Sequence, residues 1–185
     1  MINLEKALVL LLKLFREKSI KVVLVGGLAC GVWKHIRATR DIDFLVHEDC
    51  YEIIIKAMKF HGYLNCVEYD ELGIIKFDEV ADKGLPEVDF VIANREYLRE
   101  IFRKAIIADY GAEKLHIANP EQLIALKLKA IRDNPDRDLD WYDIKNLIRL
   151  NSENISLDRV EELLKQFDLM ERMDELRKEF SKTGF

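Results

Sequence analysis

The sequence predicts an α+β fold of α/β-like character: a mixed central sheet of about four to six strands with flanking helices, followed by a C-terminal helical subdomain. Three observations carry this. Apolar β-rich runs alternate with helical spacing through the first 118 residues. From Asn119 onward every periodic segment is helical. The composition is 49% hydrophobic with only eight glycines and three prolines, enough to build a core and too regular for disorder.

Each element follows from local signals. "LEKALVLLLKLFREK" places Leu4, Leu8, Leu11, Leu12 and Phe15 on one helical face, and its charges interrupt any membrane-length run. "IKVVLVGG" (20–27) is a buried strand running into a glycine turn, and "LACGVWKHI" is compatible with a helix. "DIDFLV" (41–46) is a second strand. "HEDCYEIIIKAMKFHG" (47–62) is a helix stopped by Gly62. "YLNCVEY" and "GIIKFDEV" form strands around a turn near Glu71 and Gly73, and "PEVDFVIA" (86–93) is a further β-rich run. "REYLREIFRKA" is helical, and "AIIADYG" with "EKLHIA" makes a hairpin at Gly111. Asn119, Pro120 and Gln122 then fit an N-cap, a first helical turn and a capping box. Helices are expected at 119–133, 138–150, 156–167 and 169–181. No Gly/Ser/Pro linker intervenes, so the expected division is a core of residues 1–118 with a packed helical subdomain of 119–185.

The net charge of −5 disfavours a broad nucleic-acid-coating surface and leaves room for a local basic patch such as "KHIRATR". Three cysteines without a CxxC spacing read as free thiols in a reducing compartment. The four histidines lack metal-ligand spacing and read as structural or surface imidazoles. The N-terminus has no signal-peptide layout, and the expected location is the cytoplasm, with no membrane association.

The chemistry concentrates in "VGGLACGVWKHIRATRDIDFLV". On a strand Asp41 and Asp43 share one face while Ile42 and Phe44 point to the core. Two adjacent carboxylates repel, and a divalent cation between them is the natural remedy; hard oxygen ligands suit Mg²⁺. Gly26 and Gly27 end a strand and open a helix, a turn through which backbone amides approach a phosphate. Neither a P-loop nor a GxGxxG fingerprint is present. A two-metal site calls for one more acid on a neighbouring strand. Asp89, set between Val88 and Phe90, supplies it ahead of Asp78 and Glu79, which lie beside further charge. A DxD pair also occurs in sugar-nucleotide glycosyltransferases, but that reading leaves the glycine pair unexplained.

These residues resemble the nucleotidyltransferase superfamily, the fold of DNA polymerase beta and kanamycin nucleotidyltransferase. Its pattern is a hydrophobic residue and Gly-[Gly/Ser], a spacer, Asp-x-[Asp/Glu] between hydrophobics, then a third acid. Here it is Val25-Gly26-Gly27, residues 28 to 40, Asp41-Ile42-Asp43-Phe44 and Val88-Asp89-Phe90. The "GGLA…R.T.DIDFLV" version is similar to small prokaryotic nucleotidyltransferases of the abortive-infection toxin type, linked to toxin–antitoxin systems. "NPEQLIALKLKAIRD" and "RDLDWYDIKNL" agree with its second half, with Asp138, Asp140 and Asp143 each a match for that motif's acids. The resemblance implies transfer of an NMP from an NTP, such as ATP, to an acceptor hydroxyl with release of pyrophosphate. Asp41, Asp43 and Asp89 would hold two Mg²⁺ ions, or Mn²⁺ in their place, with Asp89 as base for the attacking hydroxyl. Gly26 and Gly27 would cradle the β/γ-phosphates. Arg37, Arg40 and Lys127 are the candidate cations for the nucleotide, with ion pairing inside the protein the competing role. Trp33, Trp141 and Tyr142 read as packing residues. The acceptor is open among tRNA, a small hydroxylated molecule and a protein, and a partner protein or homo-oligomer is compatible. The alternative is a nucleotide-binding or partner-binding module of the same fold without turnover.

Overall fold

The computed structural model describes residues 3–69 and 73–181, and the expected turn residue Glu71 lies outside them. The chain divides into two compact units. One comprises the residues up to Leu28 together with Ala38–Ala118, and the other comprises Ala29–Arg37 with the residues from Asn119 onward. In this division the segment 29–37 groups with the C-terminal helices.

The first unit holds helix α1 (Leu4–Glu17), strands β1 (Val22–Val25) and β2 (Asp41–His47), and helix α3 (Tyr51–Phe60). Strands β3 (Cys66–Tyr69), β4 (Ile74–Phe77) and β5 (Glu87–Ala93), helix α4 (Arg95–Lys104), and strands β6 (Ile106–Tyr110) and β7 (Glu113–Ile117) complete it. Helix α2 (Gly26–Val32) starts in this unit and ends in the other. Two elements of this unit differ in kind from expectation. α2 begins at the glycine pair rather than at Leu28, and His47 closes β2 instead of opening a helix, with a 3₁₀ turn at Glu48–Cys50 before α3.

The seven strands among the described residues join one mixed sheet in the order β3-β4-β5-β2-β1-β7-β6, one more than the upper end of the expected range. The β6–β7 hairpin extends the sheet by pairing β7 in parallel with β1. β2 lies between β5, its parallel partner, and β1, its antiparallel one. Its residues alternate in burial at Asp41–Asp43 and then become fully buried from Phe44 to Val46. A central strand has both faces covered, so the polar pair is confined to its beginning. Under the sheet Phe15 of α1 meets Phe44 edge-on at 5.1 Å, and Phe44 stacks on Phe90 at 5.9 Å. Each such ring is fully enclosed and is worth about 1.5–3 kcal/mol of burial.

The second unit is built on α5 (Pro120–Asp133), α6 (Asp138–Asn151), α7 (Leu157–Gln166) and α8 (Met173–Ser181). α5 starts with the expected capping box: Gln122 N donates to the Asn119 side chain at 2.9 Å, and Asn119 N donates to Gln122 Oε1 at 2.9 Å. Leu123, Ile124, Leu128 and Ile131 of α5 and Ile144, Leu147 and Ile148 of α6 form its core. Trp141 is a packing residue: it is buried, donates to Glu175 Oε2 at 2.9 Å and lies under Arg172. Among the described residues no helix is long and apolar enough to cross a membrane. No disulfide links the three cysteines.

Candidate active site

Three carboxylates converge at one place in the sheet. Asp41 and Asp43 leave β2 on the same face, and the in-register parallel pairing of β2 with β5 sets Asp89 directly beside Asp43. One oxygen from each of the three lies within 4.8 Å of the others. Asp78 and Glu79 are exposed beyond the end of β4 and do not join the group.

Gly26 faces this cluster across the β1–β2 pair, where Val25 is registered with Asp43. Its φ is +63°, a left-handed backbone that favours glycine. A Cβ on Gly26 would overlap the Asp43 carboxylate and lie 2.7 Å from Asp43 Cβ. The first glycine is therefore required by the approach of the aspartate, independently of any ligand. Gly27 follows in the first turn of α2. Thr39 donates its hydroxyl to Asp41 Oδ1 and steadies that side chain.

Lys76 was not among the residues singled out in the sequence. It sits on β4 opposite Asp89 and donates to Asp89 Oδ2. Burial alone would lower its pKa, but the hydrogen bond and charge of Asp89, with the charges of Asp43 and Asp41, hold it above the ordinary lysine range. Asp89 shifts upward: burial dominates and Asp41 adds to it, outweighing the pull of Lys76. A lone lysine in "GIIKF" is the only local signal, and its relevance depends on the β4–β5 register.

The expected nucleotide-binding cations fall into different settings. Arg40 belongs to the sheet unit, is exposed and forms no ion pair among the described residues. Arg37 and Lys127 belong to the helical unit. Arg37 grips Asp143 with two hydrogen bonds, Nε to Oδ1 at 2.9 Å and a terminal nitrogen to Oδ2 at 3.1 Å. Lys127 is buried and bridges Asp140 Oδ1 at 2.8 Å and Asp143 Oδ2 at 2.6 Å. His35 Nε2 completes the cluster, 2.8 Å from Asp143 Oδ1. Burial works against the Asp143 carboxylate, but the charge of Lys127 and the hydrogen bonds from Lys127, Arg37 and His35 together hold its pKa below the usual range. Of the three second-half acids, Asp140 and Asp143 turn inward to this network, while Asp138 is exposed.

The fold is that of the nucleotidyltransferases. The antibiotic-resistance factor ANT(2'')-Ia is similar over 94% of this chain and 95% of its own, with a TM-score of 0.63 at 16% identity. An antigenic nucleotidyltransferase-like protein from Paracoccidioides brasiliensis aligns over 96% of this chain and 92% of its own, with a TM-score of 0.59 at 16% identity. The lincosamide antibiotic adenylyltransferase LnuA, in a lincomycin-bound structure, aligns over 79% of this chain and 96% of its own, with a TM-score of 0.56 at 18% identity. No protein-family model matches the chain, and no curated protein does.

Proposed function

We propose that the protein transfers a nucleoside monophosphate from an NTP to an acceptor hydroxyl and releases pyrophosphate. The observation that supports this best is the convergence of Asp41, Asp43 and Asp89 beside the Gly26 turn. Three hard oxygen donors, already attracting the ammonium of Lys76, fit a divalent cation such as Mg²⁺. When bound, the metal supplies neutralisation of phosphate charge and orientation of the reacting oxygens. Asp41 and Asp43 hold it from β2 and Asp89 from β5. Asp89, beside Asp43 on the paired strand, would take the proton of the attacking hydroxyl. The amides following Gly26 and Gly27 hold the β/γ-phosphates at the start of α2, with exposed Arg40 as their cation. Arg37 and Lys127 serve the Asp143 network first.

For the acceptor we favour a small hydroxylated molecule over a large RNA. The net charge of −5 disfavours an extended RNA footprint, and two of the structural neighbours are an antibiotic-resistance factor and a lincosamide antibiotic adenylyltransferase, aligned over 94% and 79% of this chain. The second reading, a nucleotide-binding module without turnover, draws on Lys76 seated at Asp89. Incubation with each α-labelled NTP, Mg²⁺ and metabolite, RNA or protein fractions separates the two. Label transfer and pyrophosphate release that vanish in Asp43→Ala support the enzyme. Mg²⁺-dependent NTP binding without transfer supports the module, and equal labelling by wild type and variant rules out Asp43 as a metal ligand.

A further inference from the structure

A cleft of about 930 Å³ opens in the sheet unit, away from the acid cluster. His47 ends the strand that Asp41 begins. Six steps of about 3.3 Å put His47 about 20 Å along β2 from the acid cluster. Lys21, just before β1, and Lys114 of β7 lie at the same end of the sheet, and Arg99 of α4 reaches over it.

The charge in this cleft does not balance. Its two acids are already matched, Asp49 with Arg95 at 3.2 Å and Glu113 with Arg16 at 3.1 Å. Lys21, Arg99 and Lys114 remain, and among the described residues none of them forms an ion pair. Burial and then the charge of Lys21 hold His116 below the ordinary imidazole range. The His47 ring, also in the wall, has an enclosed Nε2 with no hydrogen-bond partner. Leu12, Phe15, Leu98 and Phe102 supply an apolar part of the wall. Such a volume lies within the usual range for small-ligand pockets, in which apolar walls hold the body and a few polar groups fix the orientation.

We propose that this cleft is a second ligand site that takes a small phosphate monoester on an aromatic or apolar body. The phosphate dianion meets Lys21, Arg99 and Lys114 by charge-assisted hydrogen bonds, and the body lies against Leu98 and Phe102. The site is separate from the acid cluster, and its test requires neither metal nor turnover, so it stands or falls apart from the transferase reading.

The probe is 1-naphthyl phosphate, titrated in EDTA against the full chain by calorimetry, with neutral 1-naphthol alongside. The expected result is one site with a Kd below about 1 mM, at least tenfold weaker binding of the naphthol, and shifts of the His47 and His116 ring resonances. Lys21→Glu combined with Arg99→Glu weakens binding at least tenfold; both side chains are exposed, and unchanged circular dichroism verifies folding. Asp43→Asn leaves binding as in wild type. Absence of binding, equal affinity for naphthol, insensitivity to the charge reversals, or loss in Asp43→Asn each overturns the proposal.

Discussion

Gly26 and Asp43 occupy space that cannot hold both a carboxylate and a Cβ. The left-handed backbone of the glycine and the aspartate's position on β2 are two halves of one arrangement. Gly26→Ala adds strain at φ +63° and pushes Asp43 aside. We expect a stability loss of about 1–3 kcal/mol in urea unfolding and loss of Mn²⁺ binding by calorimetry. Gly31 in α2 is the control, because a Cβ there meets nothing within 4 Å. Gly31→Ala is expected to be neutral or to stabilise by up to about 1 kcal/mol. Equal effects of the two substitutions would refute the steric account.

Lys76 holds its place at Asp89 by charge, so removing it should act in opposite directions on two quantities. In Lys76→Met the metal-free protein loses up to about 1 kcal/mol, since the lysine is half exposed and the pair partly screened. Mn²⁺ affinity rises several-fold, because the ion no longer displaces an ammonium. Weaker Mn²⁺ binding in the variant would show that Lys76 assists the ion instead of competing with it.

Asp143 gives the protein a defined acid sensitivity. Its folded pKa lies below the unfolded carboxylate value of about 3.9. A depressed acid stabilises the fold above the unfolded pKa, and that contribution is lost as pH falls through the folded value. Asp143→Asn should cost about 2–4 kcal/mol at pH 7, since Arg37 and Lys127 lose a buried partner. The gap between variant and wild type should close below about pH 4. A gap that stays constant from pH 7 to pH 3 would contradict the role assigned to this carboxylate.

The capping box at α5 should be worth about 1 kcal/mol. Asn119→Ala removes the acceptor for Gln122 N, whereas Asn119→Asp keeps one and adds a charge favourable at a helix start. Thermal unfolding is expected to rank the aspartate variant near wild type and the alanine variant below both. Alanine equal to wild type would mean that the α5 start is held by packing alone.

Sequence pattern reaches some of this directly. The Asp41–Asp43 pair is legible because side chains on a strand repeat every two residues. α5 is legible because its cap, proline and glutamine stand at fixed offsets. Asp89 is legible as a type of residue, an acid among hydrophobics, but its alignment with Asp43 depends on parallel pairing between distant strands, which no local signal states. Lys76 stays hidden for the same reason. Its register with Asp89 is set across the connection from Asp78 to Pro86, which contains a bridge between Val80 and Leu85 and a left-handed Gly84. In the helical unit the lysine helix reads clearly, but its partners do not, because only the packed arrangement turns Asp140 and Asp143 inward and leaves Asp138 outside.

The parallel pairing of β2 with β5 also dictates when the acid cluster can come into existence. Asp43 and Asp89 are neighbours in space but roughly forty-five residues apart along the chain, and closing so long a loop precedes any reward from the contact. A chain emerging from the ribosome carries the Asp41–Asp43 pair long before Asp89 is synthesised. Until β5 docks, the nascent protein holds two carboxylates that cannot act as a three-point site. On the proposed function, capture of a divalent ion would be tied to the docking of β5 on β2, and the ion's arrival would report that this part of the molecule has finished folding.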